Sequence, residues 1–485
     1  MMKQGFTLSN LIKGRKMKRI GLLDASWLSM ESYDTPMHVA ALMIFEIPKN
    51  SSKSYIRDLL AKLRMQTQAV APWNYKLKTK RRFGAVLSRS WVEDQNINLD
   101  YHVRHSALPS PGRARELGVL VSRLHAHQLD INRPLWEYHL IEGLEHNRFA
   151  IYFKVHHSLV DGVNGAKMIQ RTLNSGQSSD EVLALWSQGY SSQSLGESDS
   201  STDNAGLGLI EGVFKDLTTI PHAWSALVKA TELFVSGSAD LVAPFDAPHS
   251  TLNSRVTAPR RYATQSYDID RLKRMAKVTD SSVNDIVLYL CGTSLRRFLG
   301  EVDSLPKVAL TACLPVNIRS EGDDQLGTRI SFIMASLATH ISEAKDRLEA
   351  IKNSTQAAKN HIQDLSKESL KQYTNLLVAP ELIMHGTGLT GRVKPAFNLV
   401  ISNVPGPTES LYLGEARMIS MFPVSMLTHG SALNITCFSY AGKISFGFLG
   451  ALDALPRMQN IAVYMGDALE ELELIFSSEN FKHTA

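Results

Sequence analysis

The sequence has no hydrophobic run long enough to cross a membrane, and it has few cysteines. A membrane-spanning helix needs about 18 or more consecutive apolar residues, and no such run occurs in the 485 residues. The three cysteines, Cys291, Cys313 and Cys437, lie far apart in apolar or strand-like surroundings. This placement favours buried free thiols over disulfides or metal ligands, as in a reducing cytoplasm. We therefore expect a cytoplasmic protein without a transmembrane helix.

Dense runs of charge of one sign are also missing. The net charge is +5, which suits an anionic partner such as a phosphorylated ligand or a membrane surface but predicts no nucleic-acid binding. Residues 1–20 are rich in lysine and arginine, yet no apolar core or small-residue cleavage site follows, which excludes a secretory signal peptide. We predict a disordered tail for residues 1–20, with a short basic amphipathic anchor as the alternative and Met17 as a second candidate start.

The remaining composition is that of a globular protein with two domains. Hydrophobic residues make up 44% and charged residues 20% of the chain, and the length suits two domains of ordinary size. The stretch Gln177–Asn204 is dense in Ser, Gly, Gln and Asp and is typical of a mobile linker. Leu207–Phe245 has apolar residues at helical spacings, which favours packing on a core, with contact to lipid as the alternative. We predict an N-terminal subdomain over 21–176, a linker and amphipathic helical segment over 177–245, and a C-terminal subdomain over 246–485.

One stretch combines a strand pattern with chemically active side chains. Apolar residues alternate along segment 149–155, which predicts a strand with one strongly apolar face formed by Phe149, Ile151, Phe153 and Val155. From Val163 onward the apolar residues fall at helical spacings, which predicts a helix. The sequence His156-His157-Ser158-Leu159-Val160-Asp161-Gly162 must therefore lie in the turn between the strand and the helix. A strand end is a rigid place to hold a base.

Histidine at such a position indicates proton transfer rather than metal binding. Its ordinary pKa near 6.5 lets an imidazole accept and donate a proton near neutrality. A metal site needs three or four converging ligands, and the spacing of Asp161 matches no common zinc motif, so we expect no metal. The alternative is that both histidines are satisfied structural residues, as a lone histidine would be. No Ser or Cys lies in a recognisable nucleophile motif, so a covalent intermediate on the protein is not expected.

Other segments give predictions that the structure can test. Tyr55–Gln66 is predicted as an amphipathic helix, Trp91–Arg104 as a strand, and Glu137–Gly143 as an edge strand beside the catalytic one. Ser425–Tyr440 and Lys443–Phe448 are predicted as a hairpin. His38 is interpreted as structural, and His125 and His127 carry no obvious role. Ser282 to Asp285 reads as the N-terminal cap of a helix.

The turn motif and four flanking motifs together resemble a known family. His-His-x-x-x-Asp-Gly at 156–162 resembles the signature of the CoA-dependent acyltransferase superfamily. The flanking motifs are similar to those of the bacterial wax ester synthase/diacylglycerol acyltransferase family: Pro36-Met37-His38-Val39, Pro134-Leu135-Trp136-Glu137, Asn284-Asp285 and Ser402-Asn403-Val404-Pro405-Gly406-Pro407. The resemblance extends from about Gly21 to about Phe476. Gly327-Thr328 departs from it, because the family usually has Gly-Asn there.

The resemblance implies both a fold and roles for individual residues. The expected fold is α/β (α+β), with two chloramphenicol-acetyltransferase-like subdomains of mixed sheets flanked by helices and an active-site channel at their interface. His157 would be the catalytic base, with His156 and Asp161 shaping the loop and Gly162 permitting a tight turn. Asn284 would hydrogen-bond the oxyanion or thioester while Asp285 holds the loop. Pro134, Leu135 and Trp136 would at most shape the channel.

The implied activity is direct O-acyl transfer. A long-chain fatty acyl group would move from fatty acyl-CoA, a substrate rather than a cofactor, to a long-chain alcohol or to diacylglycerol. The resemblance implies no cofactor. It does imply peripheral contact with a membrane or lipid-droplet surface. Two alternatives stay open: a condensation-type acyltransferase that uses another acyl donor, and a non-catalytic lipid-binding relative.

Overall fold

The computed structural model describes residues 17–82, 85–175, 179–189, 241–243, 245–317, 330–363, 365, 369, 373 and 394–480. In this part of the chain, two mixed β-sheets and one small antiparallel sheet are flanked by helices. The mixed α/β class predicted from the sequence is confirmed.

The elements follow one another as strands and helices along both halves of the chain. The first half contains β1 (Met17–Arg19), α1 (Leu22–Met30), β2 (His38–Glu46), α2 (Tyr55–Arg64), β3 (Tyr75–Arg82), β4 (Ala85–Glu93), α3 (Leu99–His102), β5 (Val103–Ala107), α4 (Ala114–Ala126), β6 (Trp136–Leu144), β7 (Arg148–His156), α5 (Gly162–Arg171) and β8 (Asn174–Ser175). The second half contains β9 (Arg260–Asp268), α6 (Ile269–Val278), α7 (Val283–Glu301), β10 (Thr311–Asn317), β11 (Ile330–Ser336), α8 (Ala344–Gln363), β12 (Leu399–Val404), β13 (Leu411–Leu413), β14 (Ala416–Val424), β15 (Leu433–Tyr440), β16 (Lys443–Ala451) and α9 (Asn460–Asn480). Single 3₁₀ turns lie at Leu185–Ser187 and Thr251–Asn253.

The larger sheet combines strands from both halves of the chain. Its seven strands have the order β5-β6-β7-β2-β14-β13-β8, with β5 parallel to β6 and the other neighbours antiparallel. β14 pairs with β2, so a strand from the second half lies beside a strand of the first. Sheet membership therefore crosses the predicted subdomain division, and β7, which carries the histidines, is an interior strand.

The second sheet belongs entirely to the second half. Its six strands have the order β11-β10-β12-β15-β16-β9, with β12 parallel to both β10 and β15. β15 and β16 form the predicted hairpin through Ala441 and Gly442, which both have positive φ (45° and 79°). The two large sheets approach each other at Gly447 of β16, where an added Cβ would lie 1.9 Å from the carbonyl oxygen of Pro423 in β14. Only glycine allows that approach.

Both faces of the larger sheet are buried, which holds β7 rigidly. Phe149, Ile151 and Phe153 pack into one hydrophobic cluster, and Ala150 and Tyr152 pack into the other. The alternation predicted from the sequence is confirmed, but the second face is buried as well, as is usual for interior strands. Each large side chain buried in this way contributes about 1.5–3 kcal/mol of hydrophobic stabilisation.

Two strand predictions were wrong for one common reason. The predicted strand Trp91–Arg104 is interrupted, because the side chain of Asn98 accepts the N–H of Tyr101 and caps the short helix α3. The chain then continues as β5, which pairs in parallel with β6. β6 consequently lies between β5 and β7 and is not an edge strand.

The predicted tail and the predicted linker are both partly ordered. Met17–Arg19 form β1 beside β4, so the tail does not extend to residue 20 as predicted. Residues 179–189, predicted as part of the linker, pack on the first half: the buried Trp186 stacks on Trp136 with 5.6 Å between ring centroids. Most of the amphipathic segment Leu207–Phe245, and the remaining linker residues, lie outside the described residues.

Within the described ranges, none of the helices combines the length and apolar character that crossing a membrane would demand.

Candidate active site

The turn between β7 and α5 brings together the residues singled out by the sequence motif. His156 is the last residue of β7, and Gly162 is the first residue of α5. Asp161 is the N-cap: its carboxylate accepts the backbone N–H of Asn164 (2.8 Å) and the side-chain amide of the same residue (2.9 Å). Such a cap satisfies a free donor of the first helical turn, and its negative charge suits the positive end of the helix dipole. The predicted strand-turn-helix arrangement is confirmed.

The role predicted for Gly162 was wrong. Its φ is not in the left-handed region, and an added Cβ would meet no atom within 4 Å. Neither the backbone conformation nor a close approach therefore requires glycine there. The turn is set by Asp161 instead, and the space beside Gly162 is open.

His156 is buried and its ring is fixed by the turn itself. Its Nδ1 accepts the backbone N–H of Ser158 (3.1 Å) and lies 2.6 Å from the hydroxyl oxygen of the same residue. Because Nδ1 accepts from a backbone N–H, the neutral ring carries its proton on Nε2. That Nε2 faces the carboxylate of Glu31 at 3.4 Å. His156 is thus held on both sides, which agrees with the predicted role in shaping the loop.

Glu31 is a buried carboxylate that sequence inspection missed. One of its oxygens accepts the backbone N–H of Met37 (2.5 Å) and faces His156, and the other accepts the side-chain amide of Gln128 (3.0 Å). Met37 in turn accepts the backbone N–H of His157 through its carbonyl oxygen (2.9 Å). One carboxylate therefore supports the backbone on which both histidines depend. The sequence signal that could have found it is its position five residues before the Pro36-Met37-His38 motif.

His157 is half-buried, with its Nδ1 inside the protein and no hydrogen-bond partner for that atom among the described residues. The indole of Trp27 lies against the ring, with 4.7 Å between centroids and 47° between planes. Burial lowers the pKa of His157 to about 4; Asp161 acts in the opposite direction, and the neighbouring His156 lowers the pKa further. The imidazole is therefore neutral at pH 7 and able to accept a proton.

A carboxyl group with an unusual pKa lies near Asp161. The pKa of Asp24, in the first turn of α1, is raised to about 7, mainly by burial and then by the charge of Asp161, while Lys18 lowers it. Nothing in the local sequence distinguishes Asp24 from an ordinary helix-surface aspartate. Its environment depends on the contact between α1 and the turn.

Behind the turn, two further histidines form a buried hydrogen-bonded group. His38 pairs with His156 across β2 and β7, and its Nε2 donates to the carbonyl oxygen of His125 (2.9 Å). Its structural interpretation is confirmed. No role for His125 was obvious from the sequence, and the structure gives it one: its Nδ1 lies 2.7 Å from the hydroxyl of Tyr152, and its Nε2 donates to the carbonyl oxygen of Ser425 (2.6 Å). His125 thus joins the first half of the chain to the residue that follows β14.

Pro134, Leu135 and Trp136 are buried beneath the end of β7. The carbonyl oxygen of Leu135 accepts the backbone N–H of His156 (3.0 Å), and the indole of Trp136 donates to the carbonyl oxygen of Trp73 (2.8 Å). These residues support the strand end from below, in agreement with a site-supporting role. All three are buried, and Leu135 and Trp136 belong to the hydrophobic cluster, so they are packing residues rather than an exposed wall.

In the second half, Asp285 is explained by helix capping. Ser282 and Asp285 form a capping box at the start of α7, in which the side chain of each accepts the backbone N–H of the other. The remaining oxygen of Asp285 accepts the hydroxyl of Thr355 in α8 (2.6 Å), which ties the two helices together. The predicted cap is confirmed. Asn284 lies beside it, half-buried in the first turn of α7, and its role towards substrate stays a prediction.

Comparisons with known proteins identify what this arrangement resembles. The model of the wax ester synthase/diacylglycerol acyltransferase catalytic domain matches residues 20–287, and that of the WS/DGAT C-terminal domain matches residues 326–473. The O-acyltransferase WSD of Acinetobacter baylyi is 36% identical, over 97% of this chain and 100% of that protein. The solved wax ester synthase/diacylglycerol acyltransferase of Marinobacter aquaeolei is 35% identical, with a TM-score of 0.77 over 95% of this chain and 100% of that one. The first condensation domain of the CDA synthetase shares only the fold (15% identity, TM-score 0.54, 94% and 95% covered).

Proposed function

Because the chain belongs to the wax ester synthase/diacylglycerol acyltransferase family and is thus an O-acyltransferase, we propose that it transfers a long-chain fatty acyl group from acyl-CoA to a long-chain alcohol or to diacylglycerol. His157 is the general base of this reaction. The observation that carries the proposal is the neutral, half-buried imidazole at the end of an interior strand.

The proposed chemistry is a direct transfer between two bound substrates. The acceptor hydroxyl oxygen attacks the thioester carbonyl carbon, while the imidazole of His157 takes the hydroxyl proton. The carbon–sulfur bond then breaks, and the imidazolium returns the proton to the departing CoA sulfur. General base catalysis of this kind typically contributes about 10²–10⁴-fold, and the positioning of the two substrates adds to it.

The pKa of His157 near 4 keeps the imidazole in its proton-accepting form at neutral pH and favours the second proton transfer. The free imidazole is present over the whole neutral range, and the imidazolium formed during attack is acidic enough to give its proton readily to a thiolate. Asp161 offsets part of the cost of charging the His157 ring, since its negative charge raises the pKa of that ring. The open space beside Gly162 leaves room for a reacting group next to the turn.

In this proposal, the second half of the chain supplies the other side of the site. Asn284 donates a hydrogen bond to the oxyanion that forms on the thioester carbonyl, and Asp285 keeps the start of α7 in place through Ser282 and Thr355. A preorganised donor at a developing oxyanion is usually a large contributor to acyl transfer.

The acceptors are insoluble in water, so the enzyme must take them from a lipid phase. We propose peripheral contact with a membrane or lipid-droplet surface as the source of these acceptors. The apolar residues of segment Leu207–Phe245 have helical spacing that favours packing on a core, with contact to lipid as the alternative, and under that alternative this segment is the candidate for the contact.

The test is release of free CoA thiol from palmitoyl-CoA, measured without acceptor, with hexadecanol and with dioleoylglycerol. We expect release only when an acceptor is present, and loss of about 10²-fold or more in His157→Ala. His127→Ala is the matched control, because it also removes an imidazole, but an exposed one that bonds to the carbonyl oxygen of Arg123 in α4. This variant should keep full activity.

The same assay separates the alternatives. Normal turnover in His157→Ala would refute the assignment of the base. Absence of thiol release with either acceptor, in a folded protein that still binds acyl-CoA, would favour a non-catalytic lipid-binding relative. Transfer only from an acyl group carried on another donor would favour a condensation-type enzyme.

A further inference from the structure

Helix α1 and the residue that caps its C-terminus each contact one of the two histidines: Trp27 lies in the helix, and Glu31 is the C-cap. Trp27 and Glu31 are four residues apart, so they lie on one side of the helix. The backbone N–H of Glu31 donates to the carbonyl oxygen of Trp27 (3.1 Å), which keeps Glu31 in helical register. Glu31 faces His156 at 3.4 Å, and the indole of Trp27 lies against His157. The same helix face therefore holds both rings.

The two histidine rings differ in how their orientation is fixed. His156 has a hydrogen-bonded Nδ1, whereas the Nδ1 of His157 is buried and finds no partner within the described residues. In many sites, the second nitrogen of a functional imidazole is oriented by a carboxylate or a carbonyl oxygen. Since no such bond from the His157 ring to another residue is found within the described residues, packing must supply much of the orientation. The ring in contact with His157 is the indole of Trp27.

We propose that Trp27 is the positioning residue of His157: its indole holds the imidazole in the reactive orientation and keeps water from the inner edge of the ring. This inference rests on the proposed base role of His157. The 47° angle between the two planes indicates a packing contact rather than parallel stacking. Trp27 thus acts by shape and by excluding water, two properties that another aromatic ring can supply in part.

The charged groups that influence the pKa of His157 are distinct from the Trp27 side chain. Asp161 at the start of α5 and the adjacent His156 both influence its pKa, and Asp24 of α1 interacts with Asp161. Glu31 faces His156. A substitution of Trp27 changes none of these charges. A shift in the pH profile of such a variant therefore reports the exclusion of water around the imidazole.

The experiment compares Trp27→Ala with Trp27→Phe by kcat and by the pH dependence of kcat/KM for palmitoyl-CoA, with hexadecanol as acceptor. In Trp27→Ala, we expect kcat to fall about 10-fold or more, and the acid limb of kcat/KM to move up by about one pH unit or more, towards the ordinary histidine pKa. Trp27→Phe keeps an aromatic face and should stay within about threefold of the wild type with the original profile. Tyr33→Ala, which truncates an aromatic residue that is 74% exposed in the following loop, is the matched control and should change neither quantity.

Trp27→Leu extends the test if the alanine variant does not fold. Leucine excludes water but offers no flat face, so kcat should fall while the acid limb stays in place. The inference is overturned if Trp27→Ala keeps both the wild-type kcat and the wild-type profile. It is also overturned if Trp27→Phe is as defective as Trp27→Ala, since the indole N–H, which is buried without a described partner, would then carry the effect. An inactive His157→Ala alongside unchanged Trp27 variants would leave the proposed function standing, whereas an active His157→Ala would remove the function itself.

Discussion

Replacement of Glu31 by alanine should weaken the support of both histidines at once. The carboxylate is mostly buried, with 11% of its side chain exposed. One of its oxygens accepts the Met37 N–H at 2.5 Å and faces the Nε2 of His156 at 3.4 Å. Alanine would leave the Met37 N–H without its acceptor and would remove the carboxylate that faces His156.

The effect of Glu31→Ala on the free energy of unfolding follows from the contacts that it removes. A buried donor left without its acceptor costs about 1–3 kcal/mol. The Met37 N–H donates to a carboxylate, and bonds to charged groups belong in the upper part of this range, whereas the His156 contact is too long for an ordinary hydrogen bond and belongs at the bottom. We therefore expect Glu31→Ala to lower the free energy of unfolding by about 3 kcal/mol. Because Met37 also accepts the N–H of His157, kcat should fall by about 10-fold.

Glu31→Gln is the informative partner variant. Glutamine can place its carbonyl oxygen towards Met37 and His156 and its amide towards the exposed Gln128, whose own amide can turn to accept. We expect Glu31→Gln to lower the free energy of unfolding by about 1 kcal/mol. Glu46→Ala, which breaks an exposed ion pair with Arg417, is the control and should cost less than about 1 kcal/mol.

Urea denaturation followed by circular dichroism measures these differences, and the thiol-release assay measures kcat. If Glu31→Gln is as damaging as Glu31→Ala, the negative charge itself is required, and the view that an acceptor oxygen is enough to support the turn is refuted. If Glu31→Ala costs nothing, the hydrogen bonds are not what holds the turn.

Two further predictions concern groups away from the reacting atoms. Asp285→Ala should lower the free energy of unfolding by about 2–3 kcal/mol, because the Ser282 N–H loses its acceptor and the Thr355 hydroxyl loses the bond that ties α8 to α7, although it keeps its bond to the carbonyl oxygen of Lys352. Asp285→Asn should cost about 1 kcal/mol, and equal losses in urea denaturation would contradict this. His125 has its pKa lowered to about 3 by burial, so the unfolded chain binds a proton below about pH 6.5 that the folded chain does not, and stability is lost as pH falls. Between pH 6.5 and pH 5, His125 should lower the free energy of unfolding by about 2 kcal/mol. A His125→Gln variant whose stability falls as steeply as that of the wild type over this range would disprove the assignment.

Local pattern was enough to predict the elements that carry the site. The alternation along 149–155, followed by helical spacing from Val163, predicted β7 and α5, and the motif between them was correctly placed in the turn. The cap at Ser282 and the β15–β16 hairpin were also predicted correctly. In each of these cases, the determining interactions lie within a few residues along the chain. A local signal for Asn98 as a helix cap was present too, and using it would have separated β4 from β5.

Partners distant in sequence could not be predicted in this way. The pairing of β14 with β2, the hydrogen bond from His125 to the carbonyl oxygen of Ser425, and the contact of Trp27 with His157 each join residues more than a hundred positions apart. A periodic pattern shows that a face is buried but not what covers it. Local reasoning was wrong at Gly162 for a related reason: a glycine after a motif suggests a strained turn, yet the cap at Asp161 makes the turn without strain.

The different roles of two adjacent histidines follow from where the strand stops. His156 is still paired in the sheet opposite His38, so its ring is enclosed and its proton position is fixed by the N–H of Ser158. His157 is the first residue beyond β7; its own N–H bonds to Met37, and its ring is only half-buried. One more residue of strand would enclose the second ring as well, and one fewer would free the first. The length of β7 therefore separates the ring that supports the turn from the ring that can exchange a proton with a substrate.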